Sequence, residues 1–293
     1  MRTIGWIGTG VLGSAIVNKF LEAGNRVVIF NRTIIKTIPL EKKGAIVVSS
    51  PRKVAEICDL VFLCLTGKEA TNEVIFNPKE GIVAASRQGI CIIDSSTIGP
   101  KFALEIQDRL RNTNISYIDC PVSGGPEGAL NGTLTAVMSG DAELIEKYRD
   151  IVSEFASSIY YVGEVGKAQL LKVINNLVES INLWGAAEAI VLGLKAGITI
   201  ETMRPVLLNM RGYSTYMDLL IKHLCMEEKK TSASLEVRLK DLNIAREVAA
   251  FYNVDTPVLN LTEQLFVLAV EKQGRFADQT ECIKVLMKDD EQK

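Results

Sequence analysis

The sequence predicts an α/β fold in which a doubly wound, mostly parallel sheet is followed by an all-helical C-terminal domain. Three observations support this prediction. Short apolar segments alternate with helix-compatible segments through the first half, a glycine-rich turn follows the first apolar segment, and the helical period dominates from near Gly166 onward. Continuous apolar strands separated by helices are typical of a parallel sheet that is covered on both faces.

Short apolar runs in the first half are predicted strands: Thr3–Ile7, Arg26–Phe30, Ala45–Val48, Leu60–Leu65, Ile90–Asp94 and Ser116–Ile118. The segments between them favour helices that begin near Gly10, Thr33, Pro51, Glu69 and Pro100. After Cys120, a glycine-rich stretch precedes a further strand pair with a helix between its members, Leu134–Met138 and Ser158–Val162.

The change in periodicity predicts two domains, residues 1–163 and residues 164–293. One helical pattern runs from about Ala168 to Ala196, about twice the usual helix length. Since no low-complexity linker separates the halves, we expect a packed junction with this long helix joining both domains.

Composition and charge limit the function. The 293 residues include 33 Lys+Arg and 35 Asp+Glu, which gives a net charge of -2. This near-neutral balance provides no strong positive potential that would attract nucleic acid. No stretch is expected to span a bilayer, because charges interrupt even the most apolar window, residues 177–200. Gly8, Gly10 and Gly13 interrupt any secretory signal pattern. We therefore expect a cytoplasmic protein that binds neither nucleic acid nor membranes.

The single histidine and the scattered cysteines argue against a disulfide-rich protein, a metal-binding protein and a histidine-based catalyst. The 6 cysteines form no CxxC pair, so neither a disulfide framework nor a structural zinc site is expected. His223 is the only histidine, and its charged neighbours predict a surface helix position. No metal site is expected, and acid–base chemistry falls to lysine, carboxylate or tyrosine.

The segment Gly8-Thr9-Gly10-Val11-Leu12-Gly13 predicts a dinucleotide-binding loop. It follows the first strand and opens a helix, with a second strand inside 30 residues, and this context makes the GxGxxG motif specific. Gly8 would turn the chain, Gly10 would let the backbone approach a pyrophosphate, and Gly13 would let helix and strand pack closely. The first domain is therefore predicted to be of Rossmann type; the weaker alternative is a glycine turn without a ligand.

The residues after the second strand predict the cofactor. NAD-binding proteins usually place a carboxylate there, whereas this chain has Asn31, Arg32 and Thr33. A guanidinium with small polar neighbours suits a 2′-phosphate, so NADP(H) is the preferred cofactor and NAD(H) is possible. The alternative is that Asn31 caps the next helix and Arg32 is solvated.

Two further motifs carry candidate chemistry. The consecutive glycines after Ser123, Gly124 and Gly125, could present backbone N–H groups to a small carboxylate, or could form a simple turn. In the helix that opens after Gly166, Lys172 and Asn176 lie one turn apart, and an apolar setting would lower the pKa of Lys172 toward that of a proton carrier.

The pair Lys240-Asp241 is expected at the start of a later amphipathic helix. Lys240 could cover the nicotinamide or the substrate carboxylate, and Asp241 would be favoured near a helix N-terminus. The alternative is a solvated charge pair.

Together these motifs resemble the β-hydroxyacid dehydrogenase family. The resemblance covers nearly the whole chain and rests on IGTGVLGSAIVNKFLEAG, NRT, DSST at 94–97, DCPVSGGPEGALNGTL, GEVGKAQLLKVINN and KDLNIA at 240–245. The chain departs from the family pattern at Thr9 and Leu12, at Ala168, and at Leu65-Thr66, where the family usually has Leu-Pro. These departures leave the subfamily and the substrate open.

The resemblance implies roles for individual residues. Lys172 corresponds to the catalytic lysine, Asn176 to its substrate-binding partner, and Lys240 to the lysine that covers the cofactor and contributes to the substrate site. Ser123, Gly124 and Gly125 would hold the substrate carboxylate. The cofactor would contact the glycine loop, the NRT segment, the residues after the fourth strand and Thr97: Gly8, Thr9, Gly10, Val11, Leu12, Asn31, Arg32, Thr33, Leu65, Thr66, Thr97 and Lys240.

The expected activity is hydride transfer between NADP(H) and a small β-hydroxy acid or aldehyde acid. The class includes 3-hydroxyisobutyrate, glyoxylate and succinic semialdehyde, and a homodimer or homotetramer is expected. An imine reductase is an alternative with a similar fold, although that relative usually has Asp or Tyr at the position of Lys172. A non-catalytic NADP-binding oligomerisation module is the second alternative, and the retained lysine argues against it too.

Overall fold

A computed structural model describes residues 2–225 and 233–287. The chain divides into two compact units, unit 1 from Met1–Lys172 and unit 2 from Val173–Lys293. This division lies within the long helix, nine residues beyond the predicted boundary after residue 163. The predicted boundary therefore stays a prediction.

Unit 1 contains a six-stranded sheet in which every pairing is parallel. The strand order is 3-2-1-4-5-6, and the strands are β1 Thr3–Ile7, β2 Arg26–Phe30, β3 Ile46–Val47, β4 Leu60–Leu63, β5 Ile90–Asp94 and β6 Ile115–Asp119. This is the doubly wound order of Rossmann-type domains. The predicted fold class is confirmed, with three strands at their predicted bounds and three shifted by one or two residues at their ends.

A second, three-stranded sheet has the order β7-β8-β9, with strands Val122–Ser123, Leu134–Met138 and Ala156–Tyr161. β8 and β9 are parallel, whereas β7 pairs antiparallel with β8. β7 was not predicted, because a two-residue strand in PVSGG shows no apolar alternation.

The helices of unit 1 cover these sheets. They are α1 Val11–Glu22, α2 Ile38–Glu41, α3 Pro51–Ile57, α4 Lys68–Phe76, α5 Pro100–Leu110, α6 Gly125–Asn131 and α7 Ala142–Val152. Several begin where the sequence predicts, since proline occupies the first turn of α3 and α5. α6 was not predicted, because its glycines favour a loop.

A cluster of four aromatic rings packs in the core of unit 1 and contacts the glycine loop through Trp6. Trp6, Phe20, Phe62 and Phe155 are fully buried, with neighbouring ring centroids 5.4–6.1 Å apart. The Trp6 indole donates to the carbonyl oxygen of Gly8 at 2.9 Å. The core therefore fixes the backbone at the first glycine of the motif.

Unit 2 is helical among its described residues. The long helix α8, Lys167–Lys195, begins in unit 1 and is followed by α9 Ile200–Leu207, α10 Thr215–Cys225, α11 Leu235–Phe251 and α12 Pro257–Gln273. A 3-10 helix at Gln279–Val285 follows. Their apolar faces share a core that includes Leu183, Trp184, Ile190, Leu242 and Phe266.

Helix α8 corrects one expectation. By length and composition it could cross a membrane, with a mean hydropathy of 1.4 over its most apolar window. The expectation that no stretch reaches this length and apolarity is therefore wrong. The core helix of a soluble protein can have the same length and apolarity, so these two properties alone do not assign α8 to a membrane.

His223 also differs from its prediction as a surface residue. Its ring is buried on α10, with Nδ1 2.8 Å from Thr280 Oγ1 and Nε2 3.1 Å from Glu281 Oε1. The charged sequence around it suggested exposure, but the packing of the 3-10 helix against α10 decided its burial.

Candidate active site

The three glycines of the first loop have different surroundings. A Cβ on Gly8, whose φ is +104°, would collide with the carbonyl oxygen of Cys64, and a Cβ on Gly13 would collide with that of Gly8. A Cβ on Gly10 would meet nothing within 4 Å. Gly8 and Gly13 are therefore required by the fold, whereas Gly10 leaves open space beside the backbone.

A cavity of about 470 Å³ adjoins this loop within unit 1. Predicted cofactor residues line it together: Gly8, Gly10, Asn31, Arg32, Thr33, Leu65 and Thr66. The lining also includes residues that the sequence analysis missed: Lys36, Ser49, Ser50, Glu69, Glu73 and Glu80. Lys36 lies four residues after Arg32, a spacing that could have indicated a second cation.

Asn31 braces the glycine loop. Its Oδ1 accepts from the Thr9 backbone N–H at 2.9 Å, and its Nδ2 donates to the Thr33 carbonyl oxygen at 2.9 Å. The next helical turn has Thr33 as its N-cap, so the alternative that Asn31 caps this turn is wrong. Arg32 is exposed and forms no ion pair among residues 2–225 and 233–287.

The loop residues fit a dinucleotide. The Thr9 hydroxyl is buried without a hydrogen-bond partner in the described structure, although its backbone is well bonded. Val11 is exposed and Leu12 is half-buried at the first turn of α1. Open space at Gly10, backbone N–H groups at the start of a 12-residue helix and the adjoining cavity are the features that pyrophosphate binding requires.

A second loop, residues 95–99, follows β5 and contains Thr97, which is half-buried. Its conformation is set by neighbours on both sides: Asp94 accepts from the Ser96 N–H at 2.8 Å, and the Ser96 hydroxyl accepts from the Leu65 N–H at 2.8 Å. The segments that contain Leu65 and Thr97 are therefore tied to each other through Ser96.

Two buried carboxylates lie at the ends of neighbouring strands, since Asp94 on β5 is the register partner of Asp119 on β6. Burial raises the pKa of Asp94 to about 6, although hydrogen bonds from Ser96 and Tyr117 oppose the shift. Burial also raises the pKa of Asp119, opposed by Ser139 and by the backbone N–H groups of Gly166 and Gln169.

The predicted anion loop lies at the end of β7. Ser123 is half-buried, and Gly124 and Gly125 are exposed with φ values of 124° and 62°. α6 starts at Gly125, so the segment is a turn into a short helix rather than an extended loop.

Lys172 is half-buried on the second turn of α8, five residues after its first residue, Lys167. The turn before it is firmly held within unit 1. Asp119 accepts from the N–H groups of Gly166 at 3.2 Å and Gln169 at 3.1 Å. Among the described parts of the chain, no group of three or more His, Cys, Asp or Glu could hold a metal ion.

Asn176 belongs to a buried polar group in unit 2. Its Nδ2 donates to Asp241 Oδ2 at 2.8 Å, and Asp241 Oδ1 lies 2.9 Å from Lys240 Nζ as an ion pair without hydrogen-bond alignment. Lys240 and Asp241 are the sixth and seventh residues of α11, not its start as predicted. Asp241 therefore interacts with Asn176 and Lys240, and not with the N-terminus of α11.

An ion-pair cluster next to this group was not predicted. Arg238 is buried and donates to Glu179 Oε2 at 2.7 Å, to Gln279 Oε1 at 2.5 Å and to the Tyr216 hydroxyl. Glu179 also accepts from Tyr216 at 2.6 Å and from Asn175 at 2.7 Å. Only the charged positions on apolar helix faces could have indicated this pairing, because its members are far apart in sequence.

Two protein-family models together match most of the chain. The NAD binding domain of 6-phosphogluconate dehydrogenase matches residues 3–163, and the domain described as NAD-binding of NADP-dependent 3-hydroxyisobutyrate dehydrogenase matches residues 166–286.

Individual relatives cover most of the chain. A probable 3-hydroxyisobutyrate dehydrogenase-like 3 of Arabidopsis thaliana is 33% identical over 90% of this chain and 80% of its own. The 2-(hydroxymethyl)glutarate dehydrogenase of Eubacterium barkeri is 30% identical over 90% and 87%. The solved structure of Psf3 in complex with NADP+ and 2-OPP has a TM-score of 0.92 and 35% identity, covering 97% and 99%.

The parallel sheet, its glycine loop and the adjoining cavity define a Rossmann-type dinucleotide-binding protein. The chain belongs to the β-hydroxyacid dehydrogenase family and is an NAD(P)-dependent enzyme.

Proposed function

We propose that this dehydrogenase transfers hydride between NADP(H) and a small β-hydroxy acid or aldehyde acid, with Lys172 as the general acid and base. The substrate class is that of 3-hydroxyisobutyrate, glyoxylate and succinic semialdehyde. The observation that carries the proposal is Lys172 itself, a half-buried amine on the second turn of α8 in a chain of this family.

The nicotinamide, when bound, supplies or takes up the hydride. In the reducing direction the Lys172 ammonium donates a proton to the carbonyl oxygen, and in the oxidising direction the neutral amine accepts the hydroxyl proton. Asn176 would bind the substrate oxygen, since its amide is held in one orientation by Asp241. The residues Ser123, Gly124 and Gly125 would hold the carboxylate, and Lys240 would cover the cofactor.

Two cations that line the cavity, Arg32 and Lys36, support a preference for NADP(H) over NAD(H). Arg32 and Lys36 are exposed, line the cavity and form no ion pair among the described residues, which supports a 2′-phosphate and hence NADP(H). The carboxylate that NAD-specific domains place after β2 is replaced by Asn31.

Replacement of Lys172 tests the chemistry. In an assay of small hydroxy acids and semialdehydes with both cofactors, Lys172→Ala should lower kcat by about 10²–10⁴-fold. Lys167→Ala, an exposed lysine on the same helix, is the matched control and should keep full turnover. Full turnover by Lys172→Ala would end the assignment, and preferential turnover of a cyclic imine would favour an imine reductase.

Replacement of Arg32 tests the cofactor. Arg32→Ala should raise the KM for NADPH much more than the KM for NADH, because only NADPH has the 2′-phosphate. Arg111→Ala, an exposed arginine outside the cavity, should change neither. Equal effects of Arg32→Ala on both cofactors would contradict the assignment.

The cellular setting is part of the same proposal. We place the enzyme in the cytoplasm as a homodimer or homotetramer, without nucleic-acid or membrane partners. Large apolar side chains exposed on unit 2, such as Phe251, Val258 and Leu261, support self-association. Light scattering after gel filtration measures the assembly, and a monomer at micromolar concentration would contradict it.

A further inference from the structure

The carboxamide of Gln169 forms hydrogen bonds with three residues of the 95–99 loop. Its Oε1 accepts from the N–H groups of Ile98 at 3.0 Å and Gly99 at 3.1 Å, and its Nε2 donates to the Ser96 carbonyl oxygen at 2.9 Å. The side chain is completely buried. A neutral carboxamide can accept two hydrogen bonds at its oxygen and donate from its nitrogen, which matches the two N–H groups and the carbonyl oxygen that the loop presents.

The helix turn that contains Gln169 is held on its other side as well. The Gln169 N–H donates to Asp119 Oδ2, the Gly166 N–H donates to Asp119 Oδ1, and the Ala168 N–H donates to Ser139 Oγ at 3.0 Å. N–H groups at the start of α8 that have no partner inside the helix are therefore bonded to the ends of β6 and β8. The Gln169 side chain bonds to the loop after β5.

This arrangement connects residues of the proposed reaction. Lys172 follows Gln169 by three positions, so the two lie beside each other on α8. Thr97 lies between Ser96 and Ile98, whose peptide groups bond to Gln169. Ser96 in turn bonds to the Leu65 N–H, which reaches the cofactor cavity.

We propose that Gln169 is a positioning residue that holds the α8 turn with Lys172 at a fixed distance from the loop with Thr97. The inference rests on the proposed function, because it assigns Gln169 to the alignment of the proton donor with the hydride path. Misplacement of reacting groups by about 1 Å can cost on the order of 10²-fold in rate. Gln169 itself touches neither substrate nor cofactor in this assignment.

The test compares Gln169→Met, which keeps the volume and removes all three hydrogen bonds, with Gln169→Glu, which keeps the acceptor and loses the donor only when its carboxyl is ionised. Gln107→Met is the control, since Gln107 is exposed on α5 of the same unit. For Gln169→Met we expect kcat to fall by about 10- to 100-fold. The Kd for NADPH should change less than kcat, because Thr97 is only one of the predicted cofactor contacts, and the primary isotope effect with C4-deuterated NADPH should rise. Gln169→Glu should show a smaller loss.

A second measurement does not depend on turnover. Hydrogen exchange of the unliganded protein should become faster at residues 96–99 in Gln169→Met, and not in Gln107→Met. A lower melting temperature with unchanged kcat, isotope effect and exchange would overturn the proposal. If Gln169→Met does not fold, the same three measurements on Gln169→Glu decide. If the wild type turns over no substrate, the proposed function fails, and exchange at residues 96–99 alone decides whether Gln169 fixes the loop.

Discussion

Two buried polar clusters of this protein differ in what satisfies their charges. In unit 1 the acid cluster, Asp94 and Asp119, accepts hydrogen bonds from backbone N–H groups and hydroxyls. In unit 2 the arginine cluster pairs Glu179 with the guanidinium of Arg238 and the Tyr216 hydroxyl. Backbone donors are fixed by the fold, whereas an ion pair depends on both side chains.

The difference affects the pKa values. Burial raises the pKa of both carboxyls in the acid cluster, and the hydrogen bonds from hydroxyls and backbone N–H groups oppose this shift. In the arginine cluster, burial opposes the charge on Arg238, yet Tyr216 and Glu179 raise its pKa above the usual value. The acid cluster therefore contains a carboxyl, Asp94, that can titrate near neutral pH. In the arginine cluster, the charge of Arg238 is paired with that of Glu179.

Removal of the Arg238 guanidinium should have the largest effect on the free energy of unfolding. Arg238→Met leaves Glu179 without its counter-charge in a site where the arginine side chain is 5% exposed, and we expect a loss of about 3–5 kcal/mol in the free energy of unfolding. Urea denaturation measures it. Adding Glu179→Leu should recover much of the loss, and a single-variant loss too small to measure would remove the contrast between the clusters.

A carboxylate-to-amide change in unit 1 should have a smaller effect. Asp119→Asn points an NH2 group at a backbone N–H, of Gly166 or Gln169, and should cost about 2 kcal/mol. Asp141→Asn is the control, because Asp141 caps α7 through Oδ1 alone and an amide oxygen replaces it. Equal losses in the two variants, by the same denaturation assay, would show that the backbone donors can adjust.

The smallest expected effect is a pH dependence. Burial raises the pKa of Asp94 from its ordinary value of 3.8 to about 6 in the folded state, so its contribution to stability is full below pH 4 and is lost as pH rises through 6. Asp94→Asn removes this loss. Between pH 5 and 7.5 the wild type should lose about 1–2 kcal/mol relative to Asp94→Asn. A constant difference between the two proteins across that range would show that Asp94 does not titrate there.

Features that depend on neighbouring residues were predictable. The apolar runs located the strands of the main sheet, because a strand buried on both faces needs continuous apolar side chains. Prolines located the starts of α3 and α5. The NRT segment and the glycine loop were placed together at one cavity.

Features that depend on distant residues were not predictable. β7 and α6 lie in a glycine-rich segment whose local preference is a turn, and their formation depends on pairing with β8 and packing against α1. His223 stands among charges in the sequence, yet it is buried. Each of these outcomes reflects tertiary contacts that override local preference.

The amino-acid sequence alone determined the strands of the main sheet and the glycine loop, since these follow from short-range periodicity or from backbone geometry that a particular residue permits. It also indicated the family, through the order of its motifs. The tertiary structure alone decided which polar groups bond to each other. Gln169 meets Ile98 and Gly99 across 70 or more residues, and Glu179 meets Arg238 across 59. A hydrogen bond needs its two atoms within about 3 Å, and packing of the whole unit sets that distance.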